Sequence, residues 1–435
     1  MTPGFIEITQ TENVTGKAIL VGIGLPANGT RRSGDPCLEE LKGLATTAYY
    51  TPIADITQRL AEINPQTLIG SGKVEELKES VRFHEPDVVI FDEALTPAQN
   101  KNLEKILSCR VIDRHWLILE IFSGHAQTRE AKTQVELARF KYALPRLTKL
   151  WGHLSRQRGG IGLKDAGEKQ IQLDKRMIRE QINKLEKKLK DIDRERAVQR
   201  KSRRNTFQAA LVGYTNVGKS TLMNCLTESK TLVENKLFAT LDATVRKVKK
   251  NFPYPILMTD TVGLIDKLPH DLVASFKSTL DEVRDADLLL HVVDISHPDF
   301  RHHMETAEEL LQDLGVDNSQ NLLVFNKVDN VDDPDILDNA KRAWPKAVFL
   351  SCKKNIGLDD LRKAIIDRYE SRLRGMSLVL DYDKAPLLAK IRKNALVVSE
   401  KYEEDGIRLE LRIWPERREP LMQLLGMQTE TPSRT

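Results

Sequence analysis

Gly213, Tyr214, Thr215, Asn216, Val217, Gly218, Lys219 and Ser220 follow the spacing GxxxxGK[ST]. Glycines at that separation let backbone N–H groups turn inward around phosphate oxygens, and a helix N-terminus just beyond them adds positive potential. Lys219 is then placed to reach the β- and γ-phosphates of a nucleoside triphosphate, and the Ser220 hydroxyl to ligate Mg²⁺. The motif follows a strand-like run, Phe207 to Val212, and opens a helical one, Ser220 to Leu226, which is the context such a loop needs.

Three further groups come in a telling order. Asp260, Thr261, Val262 and Gly263 end the run Ile256 to Thr259. A carboxylate there can hold Mg²⁺ through water, and the Gly263 N–H can meet a γ-phosphate. Asn326, Lys327, Val328 and Asp329 end the run Leu322 to Phe325. The Asp329 carboxylate suits the two N–H groups on the guanine edge, which adenine lacks, and a site built on such acceptors rejects the wrong base strongly. Ser351, Cys352 and Lys353 end the last strand-like run and can support the base. Each short motif alone is weak, but four in sequence, each after a strand, specify a GTP site. Between the first two lie Phe238, Ala239, Thr240, Leu241, Asp242, Ala243 and Thr244. A switch threonine that folds over γ-phosphate and Mg²⁺ belongs here. Thr240 and Thr244 both qualify chemically, and spacing does not choose between them.

Positioning these groups takes an α/β framework with a P-loop domain over residues 205–372. An N-terminal α/β domain, 1–127, precedes it: Lys17 to Val21 and Asp87 to Phe91 read as buried strands, and Val74, Leu77 and Val81 have helical spacing. Thr96 and Pro97 read as the cap and first residue of another helix. This alternation argues for a largely parallel sheet. Residues 128–204 read as a helical hairpin and linker. Ile171, Ile178, Ile182, Leu185, Leu189 and Ile192 form a heptad seam on a helix expected from about Glu168 to Arg200, and a seam needs a partner. The helix around Val135, Leu144, Leu147 and Leu150, kinked at Pro145, supplies one. The tip between the arms carries Arg146, Lys149, Arg156 and Arg158 with no acidic residue from Tyr142 to Leu163, then Gly159, Gly160 and Gly162. Trp151, His153 and Arg156 could stack on bases or meet phosphates, so the tip reads either as an RNA surface or as a solvated helical face. A small C-terminal α+β domain, 373–435, is expected to hold strands at Leu378 to Leu380 and Ile407 to Ile413, a helix near Pro386 to Glu400, and a frayed last twenty residues.

Composition sets outer limits. The 435 residues carry 67 Lys+Arg against 63 Asp+Glu, so a net charge of +4 excludes a uniformly basic nucleic-acid binder while permitting a local basic patch. Cys37, Cys109, Cys225 and Cys352 lie far apart with no CxxC pair, which argues against a disulfide framework or zinc site and for a reducing compartment. No signal peptide and no apolar run long enough to span a bilayer is visible; runs such as Leu288 to Val293 have the length of buried strands, with His291 a core histidine.

With these residues in place, the chain resembles the HflX GTPases, in the Obg-like branch of translation-factor-type GTPases. The resemblance covers nearly the whole length and includes Gly70 to Lys73, Asp92 to Gln99, Val111 to Arg114, Gln134 to Ala138, Gly159 to Gly162, Phe238 to Asp242 and Leu268 to Leu272. It implies that Thr240 ligates Mg²⁺. It also implies a monomeric, cytoplasmic GTPase, with peripheral membrane association left open, that binds the large ribosomal subunit and its rRNA and uses GTP to dissociate stalled or idle ribosomes. The alternatives are a GTP-regulated RNA-binding or assembly factor that docks without splitting, and an ATP-driven activity of the N-terminal domain, to which Gly70-Ser71-Gly72-Lys73 would contribute a second phosphate loop; a plain structural turn is the favoured reading there.

Two departures from the family and one shared feature stand out. Where the family's tip loop usually reads Arg-Gly-Pro-Gly-Glu-Thr-Gln, this chain has Lys164, Asp165, Ala166, Gly167, Glu168, Lys169 and Gln170. Cys352 replaces the usual alanine between Ser351 and Lys353. Leu264, a feature shared with the family, stands where Ras-like enzymes have a catalytic glutamine, so intrinsic turnover should be slow and acceleration should come from elsewhere.

Overall fold

Short β-branched runs that are apolar on both faces need helices on both sides, and the N-terminal unit supplies them. The computed structural model describes residues 16–24, 38–147, 163–203, 206–227, 237–238, 244–248, 252–267, 282–313, 315–316 and 321–426. Strands β1 (Gly16–Gly24), β2 (Tyr50–Arg59), β3 (Val88–Phe91) and β4 (Arg110–Asp113) form a parallel sheet in the order β2-β1-β3-β4. Ala18, Leu20, Val88 and Ile90 face α1 (Glu39–Thr47), α4 (Arg114–His125) and α5 (Arg129–Ala143). Ile19, Val21, Val89 and Phe91 face α2 (Ser71–His84) and α3 (Pro97–Leu107). Thr96 caps α3 in a reciprocal capping box with Gln99, and Pro97 is its first residue, as the sequence predicts.

The heptad seam finds its partner. Helix α6 (Leu163–Arg203) packs on α5, with Leu185 buried and Ile178, Ile182, Leu189 and Ile192 half-buried. Ion pairs Lys141–Glu186 (2.9 Å) and Arg196–Glu130 (2.5 Å) fix the two helices antiparallel. Two details differ from expectation. Helix α5 ends at Ala143, so Pro145 lies beyond it rather than kinking it. Helix α6 begins at Leu163 instead of Glu168 because Asp165 and Ala166 stand where the family's glycine and proline would break it. Residues 148–162, with Arg156, Arg158 and the three tip glycines, lie outside the described residues.

The central unit carries the order β10-β9-β8-β5-β7-β6. Its strands are β5 (Phe207–Val212), β6 (Thr244–Lys247), β7 (Ile256–Asp260), β8 (Leu288–Asp294), β9 (Asn321–Asn326) and β10 (Val348–Phe349). All pairs are parallel except β6 with β7. Helices α7 (Lys219–Leu226), α8 (Phe300–Asp313), α9 (Pro334–Ala343) and α10 (Leu358–Ser371) belong to this unit. The C-terminal unit is a three-stranded antiparallel sheet, β11 (Arg374–Leu380), β13 (Gly406–Ile413) and β12 (Leu396–Glu403) in that order, with α11 (Leu388–Asn394) and α12 (Pro415–Leu425). Here two expectations fail. The helix expected up to Glu400 stops at Asn394 and the chain becomes β12. Residues 415–425 are not frayed: Leu421 and Leu425 anchor α12 in the sheet's core.

The N-terminal unit docks on the central one through a buried charged network. The Arg114 guanidinium, 3% exposed, donates to the Glu40 carboxylate, to Asp92 (2.8 Å) and to the Asp266 carbonyl (3.2 Å). Lys267 pairs with Asp92 (2.7 Å) and Glu93 (2.6 Å). Phe238 is buried edge-on against Phe122 of α4, ring centroids 4.6 Å apart. Arg114→Met should therefore take from Glu40 and Asp92 the cation they share, leaving Asp92 to Lys267 alone, and lower the unfolding free energy by about 1–3 kcal/mol. Urea denaturation tests this, and a loss well below about 1 kcal/mol would show that the network contributes little.

Candidate nucleotide site

The phosphate loop is shaped by contacts that exclude a side chain at its glycines. Gly218 has φ of 95°, and a Cβ on it would stand 2.4 Å from the Asn326 Nδ2. A Cβ on Gly263 would stand 2.7 Å from the Thr215 Cγ2 and 3.3 Å from the Lys219 Nζ. The segment after β7 thus lies directly on the loop. It is also hydrogen-bonded there: Leu264 N–H donates to the Gly213 carbonyl (3.0 Å), and Thr215 N–H donates to the Leu264 carbonyl (2.8 Å). Lys219 is buried at the head of α7 and donates to the carbonyls of Gly213 (2.9 Å) and Tyr214 (2.7 Å). Asn216 and Val217 complete the loop, and the Val217 side chain is buried.

Ser220 Oγ donates to the Asp260 carboxylate at 2.7 Å. A hydroxyl and a carboxylate in contact form an all-oxygen set, the chemistry that hard divalent cations take, so these residues fit Mg²⁺. Thr261 Oγ1 donates to the Leu211 carbonyl (2.6 Å) and ties β7 to β5, while Val262 is buried. Ala239, Thr240, Leu241 and Asp242 lie outside the described residues. Thr244 opens β6 and pairs in register with Asp260.

At the other end, the Asn326 carboxamide joins two loops. Its Nδ2 donates to the Val217 carbonyl (2.8 Å), and its Oδ1 accepts from Cys352 N–H (3.2 Å). Lys327, at φ of 62°, directs its ammonium to Asp294 (2.6 Å). Val328 N–H reaches the Leu350 carbonyl (3.3 Å), holding the turn against the last strand. The fully buried Ser351 hydroxyl bonds to the Asp329 carboxylate and, with the neighbouring Lys353 and Lys354, holds that carboxyl below its usual range. Asp329 is therefore held as an anion beside Ser351. The expected groups from all four motifs thus meet at the carboxyl ends of β5, β7, β9 and β10, where parallel sheets bind ligands.

Sequence reasoning passed over Tyr214 as more than a loop residue. Its ring stacks on His303 (centroids 3.8 Å, interplanar 9°), its hydroxyl donates to Glu40, and the same hydroxyl accepts from Asp266 N–H (2.9 Å). Glu40 and Lys267 were equally invisible. Asp92, Glu93 and Arg114 had a signal: each follows a buried strand of a parallel sheet, the edge where such sheets hold ligands. That edge is lined by carboxylates and filled by Lys267, which does not suit a triphosphate. At Gly70 the N–H is taken by Gln58 (3.0 Å) and Lys73 by Glu76 (2.6 Å), so the segment is a helix start. His291 is buried, as expected, and lowered to about 4 by burial and then by Lys219. No group of three or more His, Cys, Asp or Glu able to hold a metal ion occurs among the described residues, and no described helix is long and apolar enough to cross a membrane.

Burial lowers Lys219 to about 8, against an upward pull from Asp260. Its folded value lies below its unfolded one, so between them the unfolded chain holds more protons and stability rises with pH. The contribution is fully present above about pH 10.5 and lost as pH falls through about 8, on the order of 3 kcal/mol in all. The nucleotide-free protein should gain stability relative to Lys219→Met across this window. Parallel denaturation curves of the two proteins would refute the assignment.

Comparison with known proteins fits this site. Residues 35–123 match the family described as GTP-binding GTPase N-terminal, residues 125–203 the GTP-binding GTPase Middle Region, and residues 208–327 the 50S ribosome-binding GTPase family. The chain is 44% identical to the GTPase HflX of Flavobacterium psychrophilum, over 81% of this chain and 90% of that one. It is 43% identical to the GTPase HflX of Magnetococcus marinus, over 93% and 94%. The GTPase HflX of Escherichia coli is 38% identical, over 85% and 87%.

Proposed function

This chain belongs to the HflX family of GTPases and hydrolyses GTP; from that premise we propose that it binds the large ribosomal subunit and spends GTP on dissociating stalled or idle ribosomes. The observation that carries this reading is the match of residues 208–327 to a family described as 50S ribosome-binding. The basic, acid-free stretch 142–163, which follows α5 and precedes α6 in the sequence, supports it as the part that meets rRNA. On this reading the protein works in the cytoplasm as a monomer, with Mg²⁺ as its cofactor, and divides at residues 127, 204 and 372.

The proposed roles follow the chemistry of each group. Gly213 to Ser220 cradle the phosphates, with Lys219 neutralising charge on the β- and γ-oxygens. Ser220 and Thr240 ligate Mg²⁺, and Phe238 to Asp242 close over it. Asp260 holds the metal through water, and Thr261 and Val262 set the backbone so that Gly263 N–H meets the γ-phosphate. Asn326, Lys327, Val328 and Asp329, with Ser351, Cys352 and Lys353, hold guanine. A second reading, docking without splitting, is favoured by one observation: helix α6 runs through the loop at Leu163, where the family's glycine and proline are replaced.

Two measurements test this. Asp329→Asn should lower GTP affinity by roughly 10²-fold or more while xanthine nucleotide gains, because the carboxylate no longer meets both base N–H groups; an unchanged Michaelis constant for GTP would show the base is held elsewhere. Light scattering of intact ribosomes should fall on adding the protein with GTP. Arg156→Glu with Arg158→Glu should abolish that fall and leave intrinsic hydrolysis near normal. Binding to 50S subunits without any fall in scattering would favour the second reading.

A further inference from the structure

The loop that carries Ser351, Cys352 and Lys353 touches the phosphate-loop helix through sulfur. Cys225 lies at the far end of α7, one residue before its last. Its Sγ is 3.7 Å from the Cys352 carbonyl oxygen, and the two thiols are hydrogen-bonded to each other. Cys352 is 6% exposed and Cys225 half-buried. They are 127 residues apart, so no spacing in the sequence announces them. The linkage they could form is strategic: α7 begins at Lys219 and Ser220, while Cys352 hands its N–H to Asn326 and neighbours the Asp329 carboxylate.

We propose that Cys225 and Cys352 are a peroxide-sensitive pair whose disulfide clamps the base loop to the phosphate-loop helix and slows nucleotide exchange. Cys225, the more accessible sulfur, attacks one oxygen of hydrogen peroxide as thiolate. The O–O bond breaks, the departing hydroxide takes up the thiol proton and leaves as water, and Cys225 becomes a sulfenic acid. The Cys352 sulfur then attacks the Cys225 sulfur; the S–O bond breaks, and the second water leaves with the Cys352 proton. Two thiols and one peroxide give one disulfide and two waters, the thiols oxidised by two electrons and the peroxide reduced by two. The hydrogen bond that the Cys352 thiol donates to the Cys225 sulfur, and then burial, hold the Cys352 thiol well above its ordinary range. That keeps it protonated while Cys225 meets the peroxide; its sulfur attacks only as its proton passes to the departing sulfenic oxygen.

The consequence for exchange is mechanical. Release of a base requires the loop and helix that flank it to part, and a covalent tie between them removes that freedom while leaving the already-touching arrangement in place. The kinetic effect rests on Ser351 to Lys353 being the base loop; formation of the bond does not, so the two can fail separately.

The test uses the full-length protein loaded with a fluorescent GDP analogue. After hydrogen peroxide, alkylation of remaining thiols and digestion, mass spectrometry should find a peptide joining Cys225 to Cys352. Analogue release should slow by roughly tenfold, and dithiothreitol should restore it. Cys225→Ser should release the analogue at the unoxidised rate with or without peroxide. Cys109, whose thiol hydrogen-bonds the Pro86 carbonyl in the N-terminal unit, serves as the control sulfur. Oxidation of Cys109 without the joined peptide overturns the pair. A joined peptide with unchanged release overturns the clamp, and slowing in Cys225→Ser equal to that in the parent protein overturns both.

Discussion

The Asn326 carboxamide is the smallest part on which the whole site depends. One end donates to the phosphate loop at Val217 and the other accepts from the base loop at Cys352. Both partners are backbone groups of segments 109 and 26 residues away, so their separation is set by one rigid planar group. The side chain is buried at 2% exposure, where losing either partner would leave an amide without compensation. It also explains the requirement at Gly218: any Cβ there would occupy the space of the Asn326 nitrogen. The strands β5 and β9, separated by β8, bring these groups to the same edge, but the carboxamide fixes the span that a nucleotide must bridge.

A second constraint comes from outside the central unit. Helix α1 meets two separate parts of the site's surroundings. Its Glu40 takes the Tyr214 hydroxyl and the Arg114 guanidinium, and one turn on, Gly43 lets Leu237 approach so closely that a Cβ would sit 3.0 Å from the Leu237 Cδ1. Leu237 and Phe238 lead into the segment with the switch threonine, while Asp266 and Lys267 follow Gly263. The N-terminal unit therefore holds the flanks of both segments that a γ-phosphate would draw in. Lys267 sits between Asp92 and Glu93 at the carboxyl edge of the N-terminal sheet, the place where a ligand would otherwise bind.

What could be read from the sequence was what local pattern encodes. Phe207 to Val212 is strand β5 to the residue because it is apolar, bounded by polar punctuation and followed by a glycine turn. The α5–α6 pairing was legible because heptad spacing survives without knowledge of the partner. Strand β2 went unread: it lies at the sheet edge, only Ile56 in it is buried, and Pro52 speaks against a strand. Leu396 to Val398 was drawn into a helix because Leu387, Leu388 and Ile391 before it have helical spacing, and a short apolar run fits either period. Helix α12 was hidden by Pro415 and Pro420, the first harmless at a helix start and the second inside it. The contacts of Arg114 with Asp266 and of Tyr214 with Glu40 join residues 152 and 174 apart, and only tertiary structure brings them together.

Leu264 ties the segment after β7 to the phosphate loop. Its side chain has no donor or acceptor, so it cannot orient a water as a glutamine would. Its backbone, however, makes two hydrogen bonds to the phosphate loop, at Gly213 and Thr215. On the proposed reading, GTP must lift Gly263 away from Thr215 to set its N–H against the γ-phosphate, and that breaks this pairing. Two neutral backbone bonds contribute about 0.5–1.5 kcal/mol each, while a bond to an anionic phosphate contributes about 1.5–3. The exchange is nearly balanced before the Asp266 and Lys267 contacts with the N-terminal unit are counted, and those contacts hold the segment where it lies. On the proposed reading, an enzyme poised in this way would gain little from its own side chains and more from a partner that moves the N-terminal unit. On the proposed reading, a leucine at this position is compatible with a GTPase whose turnover would depend on what it binds.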